Sequence, residues 1–175
     1  DWLNDFEGRY PDGNEDRTNL SALVQWVAST DREAATGASI TPISYDGVNY
    51  TTDSADYRLA KFKAEFTQHF NQQGALFYYI FTELFLMVDS RAKNAFPSFV
   101  GGDKWTILPY DMDTALGINN EGSLVFDYGL EDIDTVDGAD VFNGQKSVLW
   151  QNVRDAFKSE ISSMYQTLRS ENKLS

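Results

Sequence analysis

The sequence predicts an α+β fold that is mostly helical. Several stretches repeat apolar residues at the three- and four-residue spacing of a helix face. Two others are short runs of strand-forming residues closed by Gly-containing turns, which is a hairpin signature. The chain has 175 residues, 42% hydrophobic and 14% aromatic, enough to bury a core within one domain. Neither an internal repeat nor a dividing linker is visible.

Residues 1–18 read as irregular, with a turn at Tyr10-Pro11-Asp12-Gly13. A helix is expected from Thr18 or Asn19, either of which suits a cap, to about Thr30, because Leu20, Leu23, Val24 and Val27 keep helical spacing. Residues 31–52 read as a loop or small hairpin, with Ile43-Ser44-Tyr45 and Val48-Asn49-Tyr50 flanking Asp46-Gly47. Asp53 or Ser54 caps a second helix. Its apolar stripe is Leu59, Phe62, Phe66 and Phe70, with Arg58, Lys61, Lys63 and Glu65 facing water or lying at its edges. Asn71-Gln72-Gln73-Gly74 reads as a break, and residues 75–88 as a helix apolar nearly all round. That helix is expected to be central, with Phe77, Tyr78, Phe81 and Phe85 in the core.

Phe96 to Val100 and Trp105 to Tyr110, joined by Gly101-Gly102-Asp103-Lys104, read as a hairpin. Residues 114–145 are loop-rich, with one short strand expected at Leu124-Val125-Phe126. Six acids crowd the following stretch: Asp127, Glu131, Asp132, Asp134, Asp137 and Asp140. Ser147 to Asn172 reads as helical, in two pieces meeting near Phe157.

Composition removes several classes of function. There is no cysteine, so disulfide frameworks, Cys-based zinc sites and Cys nucleophiles are excluded. The single histidine, His69, reads as an ordinary helix-end residue and leaves no His-rich metal site. No Gly-x-Ser-x-Gly elbow supports Ser-His-Asp chemistry. With 14 basic and 27 acidic residues the formal charge is −13, which argues against a nucleic-acid partner. The longest apolar run, 75–88, is interrupted by Thr82 and Glu83 and is too short for a membrane span. The opening Asp1-Trp2-Leu3-Asn4-Asp5 has neither a start Met nor a leader pattern. It reads as mid-protein sequence, so these residues are expected to belong to something larger.

Candidate chemistry concentrates between the buried helix and the end of the hairpin. Asp89 is expected at the helix C-terminus, Asn94 in the loop before the first strand, and Asp111 and Asp113 where the second strand ends. If the strands pair, these oxygens approach one place. Two or three carboxylates and an amide oxygen suit a hard cation such as Mg²⁺. A bland reading stays open: the acids end a strand and cap turns. Arg91 and Lys93 are placed either to contact phosphates or to neutralise nearby acids, and Glu83 needs one of them as partner. Asp12 to Asp16 resembles a calcium loop only superficially, with Arg17 where Gly is wanted and Leu23 where Glu is wanted.

Protein kinases place a catalytic Asp and a metal-binding Asn at the spacing Asp-x-x-x-x-Asn, followed by a strand-associated metal-binding Asp. The segment Asp89-Ser90-Arg91-Ala92-Lys93-Asn94, then Lys104-Trp105 and Pro109-Tyr110-Asp111-Met112-Asp113, resembles the spore-coat CotH-type kinase-like family. The resemblance implies the large lobe of an atypical kinase fold, with a core at about 54–172, using ATP and Mg²⁺. It implies Asp89 as catalytic base, Asn94 as a metal ligand, Asp111 as the main metal ligand and Asp113 as an accessory acid. The run from Pro109 to Asp127, with Phe142-Asn143-Gly144-Gln145, Leu149-Trp150 and Tyr165 to Arg169, is also similar to CotH-like segments of bacteriophage virion proteins.

The family pattern is not complete. Met87-Val88 precedes Asp89 where ordinary kinases carry His-Arg, and no Gly-rich phosphate loop with a nucleotide-pairing Lys lies upstream. The first expectation is therefore a kinase-fold segment of a larger, virion or tail protein with a retained or degenerate Mg²⁺/phosphate site. Its partners would be other segments or subunits of that assembly, and its location the virion, or otherwise bacterial cytoplasm or spore coat. The alternatives are an active Mg²⁺–ATP protein phosphotransferase, and a calcium- or carbohydrate-binding module.

Overall fold

The computed structural model describes residue 8 and residues 16–87, 89–91, 94–102, 104–118, 121–123 and 147–171. The expected turn at residues 10–13, the strand at 124–126 and the acids of 127–140 lie outside the described residues. About half of the described residues are helical, and two small antiparallel hairpins complete an α+β architecture. The order is α1 (Thr18–Ser29), β1 (Ile43–Tyr45), β2 (Val48–Tyr50), α2 (Ala55–His69), α3 (Gln72–Leu84), β3 (Ala95–Val100), β4 (Lys104–Pro109), a 3₁₀ turn (Ala115–Gly117), α4 (Val148–Ala156) and α5 (Lys158–Ser170). None of the helices in the described residues is long and apolar enough to cross a membrane.

Local chemistry sets most boundaries. Ser54 is the α2 cap, its side chain accepting from Tyr57 N. Asp53 is not the cap. Its carboxylate is buried and receives Arg58 Nε and Nη2, each at 2.7 Å. That ion pair holds Asp53 below the usual carboxylate range. Arg58, expected near water, is instead buried, and it also donates to the carbonyls of Asp31 and Ala35, tying the 31–38 loop to α2. Thr18 opens α1 rather than capping it; the Asp16 carboxylate accepts from Thr18 N at 2.9 Å.

The break before α3 is shorter than expected. Asn71 caps the helix, its side chain accepting from Gly74 N, so Gln72, Gln73 and Gly74 form the first turn. The helix also ends four residues early, at Leu84, because Leu86 takes φ +44 and Met87 N donates to Thr82 O. Burial is one-sided. Tyr78 and Tyr79 are in the core, whereas Phe77 is 46% and Leu84 41% exposed, since β4 and α5 pack against one side of α3. The expectation that Phe77 and Phe85 are core residues is thereby corrected.

The core is an aromatic stack between α1, α2 and the C-terminal helices. Phe62, Phe66, Phe70 and Phe157 are fully buried. Ring centroids lie 5.1 Å apart for Trp26–Phe62, 5.2 Å for Phe62–Phe66 and 4.8 Å for Phe66–Phe157. His69, in the last turn of α2, stacks on Trp26 at 4.0 Å, and burial lowers its pKa. Phe157 separates α4 from α5, as the spacing predicts. Asn71 N donates to Trp105 O, and Phe70 bridges Trp105, so the second hairpin is seated where α2 turns into α3.

Candidate functional site

The end of α3 fixes a tight turn at residues 89–91. Arg91 returns its buried guanidinium to the helix it has just left: Nη1 to Glu83 Oε1 at 2.7 Å, Nε to Thr82 Oγ1 at 3.0 Å and Nη2 to Tyr79 O at 3.1 Å. It also lies 4.2 Å over the Tyr79 ring. The Glu83–Arg91 pair is one of the two the sequence allows, Lys93 being the other. Burial pushes the Tyr78 and Tyr79 phenols up to about 12. Ser90 and Arg91 are buried, while Asp89 is half-buried.

The hairpin carries Asn94 and Asp111 to the same place. Ala95 pairs with Pro109 at the hairpin's open end, so the residues just outside the last rung face each other. Asn94 N donates to Asp89 O at 3.0 Å, and Asn94 Nδ2 donates to Asp111 O at 3.1 Å. Asp89 N in turn donates to Thr114 Oγ1 at 3.4 Å. A second clasp lies alongside: Leu116 N to Phe85 O at 2.6 Å and Gly117 N to Leu86 O at 3.0 Å. Asn94 is 6% exposed and Thr114 is buried, whereas Asp111 and Asp113 are exposed.

Three non-glycine residues at this junction have positive φ: Leu86 at +44°, Asp111 at +49° and Leu116 at +65°. For a leucine this conformation is strained. Such strain persists only where surrounding structure enforces it, and it clusters at functional sites. Two separate hydrogen-bonded clasps enforce it here.

Residues 47–172 match the family described as CotH kinase protein. The chain belongs to this family. The matched span opens at the first hairpin turn and takes in the whole junction of Asp89, Asn94 and Asp111. No curated protein and no solved structure matches the chain.

Several site residues of this CotH kinase chain sit differently from the sequence expectation. Asp89 is not at a helix C-terminus but in a turn beyond it. Arg91 directs its donors at α3. Lys93 lies outside the described residues. No group of three His, Cys, Asp or Glu side chains among the described residues is placed to hold a metal ion. The acids thus form no ready-made cage. Mg²⁺ does not require one: it commonly takes one or two carboxylates, with water and substrate phosphates completing an octahedron. At the junction, Asp111 is exposed and the amide of Asn94 is bonded to its backbone. Thr114, Tyr78 and Trp150 also hold the junction. Their roles were invisible in the sequence, because each acts through one hydrogen bond to a distant residue.

Proposed function

We propose that this CotH kinase-family domain transfers the γ-phosphoryl group of ATP to a hydroxyl of a protein substrate. The reading is carried by one observation: Asn94 bonds at once to the main chain of Asp89 and of Asp111. The three residue types that phosphoryl transfer needs are thereby supported in one junction. Asp89 accepts the proton of the attacking hydroxyl as its oxygen bonds to the γ-phosphorus. The bond from that phosphorus to the β–γ bridging oxygen breaks, and ADP leaves. Asp111 and Asn94 would hold the Mg²⁺, with Asp113 as accessory acid. That ion would supply positive charge to offset the phosphates. Arg91 shapes the turn from beneath.

The test is protein labelling by γ-labelled ATP and Mg²⁺ in the full-length protein. Wild type incorporates label, and Asp89→Asn reduces the rate by about 10²-fold or more, as expected for a lost general base. Labelling unaffected by Asp89→Asn contradicts the assignment.

A second reading has its own support. Phe77, Leu84, Met112 and Leu116 are large apolar side chains left exposed, with Leu116 at 57%. Surfaces of that kind suit contact with further protein. In this reading the domain is a building element of a larger assembly, such as a phage virion or tail, and its acidic site is a remnant. Intact protein that takes no label favours it.

A further inference from the structure

We infer that Trp150 is a positioning residue for the Asp89 turn, an assignment that rests on the phosphotransferase reading above. Two consecutive carbonyls of the turn are each held by an aromatic donor. Tyr78 OH donates to Ser90 O at 2.5 Å, and Trp150 Nε1 donates to Arg91 O at 3.0 Å. The two rings stack on each other, centroids 5.6 Å apart. Tyr79, whose ring lies under the Arg91 guanidinium, packs on the same indole at 6.4 Å. Ser90 is held through its carbonyl, since its buried Oγ has no hydrogen-bond partner among the described residues.

Trp150 is itself immobilised. It is 4% exposed, and two residues on, Asn152 Nδ2 donates to both Thr30 O and Thr30 Oγ1. The first two turns of α4 thus link the α1 end of the molecule to the residue two positions from Asp89. Loss of the indole donor leaves Arg91 O without that partner and frees the turn to shift. A displacement near 1 Å at a reacting group costs up to about 10²-fold in rate.

The test is Trp150→Phe in the full-length protein, which keeps a stacking ring and deletes the N–H. Label transfer is expected to fall about tenfold or more, while the Mg²⁺–ATP dissociation constant stays within about twofold. Hydrogen exchange is expected to quicken at residues 89–94 and not in α2. Tyr78→Phe removes the neighbouring donor and gives the same pattern, so it replaces Trp150→Phe if that variant does not fold. An unchanged rate, or exchange that quickens equally in α2, overturns the assignment. If wild type transfers no phosphoryl group, it is the phosphotransferase reading that fails. Exchange then decides the positioning role alone: quickening confined to 89–94 supports it, and any other pattern overturns it.

Discussion

Leu116 holds φ +65 with its side chain mostly in water, so the conformation comes from the clasp with Phe85 and not from its own burial. Leu116→Gly removes the left-handed penalty while keeping both backbone hydrogen bonds. Stability to denaturant is expected to rise by about 1 kcal/mol, the left-handed cost of an L-residue less the added entropy of unfolded glycine. A fall by that amount shows instead that the side chain matters more than the strain. Residue types were the most legible part of this site. Asp89, Asn94 and Asp111 stand out by spacing, and Glu83 calls for a cation because an apolar helix cannot leave it unpaired. Positive φ at a leucine leaves no such mark, since nothing in a leucine's identity announces it.

Helix and hairpin existence was readable because periodicity reports which face is buried. Boundaries were less so. Gln72 and Gln73 look like a break until Asn71 is seen capping Gly74 N, and the apolar run Phe85-Leu86-Met87 looks helical although Leu86 reverses the chain. One-sided burial of α3 was equally hidden, because apolar composition all round does not say how much cover the neighbours supply. The two halves of the aromatic content should therefore respond differently to truncation. Phe66→Ala, in the fully buried stack, is expected to cost about 3–5 kcal/mol of unfolding free energy, and Phe77→Ala less than about 1 kcal/mol. Denaturant melts of the two variants check this. A large loss at Phe77 shows that further protein covers that side of α3.

For the molecule as a whole, the charge of −13 is put to structural use only in part. Asp53, Asp155, Glu65, Glu83 and Glu160 are each paired with a basic side chain in the fold, while Asp111 and Asp113 stand exposed at the junction. On the phosphotransferase proposal, these exposed acids would meet a cation brought in with a nucleotide. Calorimetric titration of Mg²⁺–ATP into the folded full-length protein tests that claim most directly. The account predicts saturable binding by wild type and affinity at least about tenfold weaker, or 1.4 kcal/mol, in Asp111→Ala. Equal binding by the two proteins, or no binding heat from wild type, contradicts it.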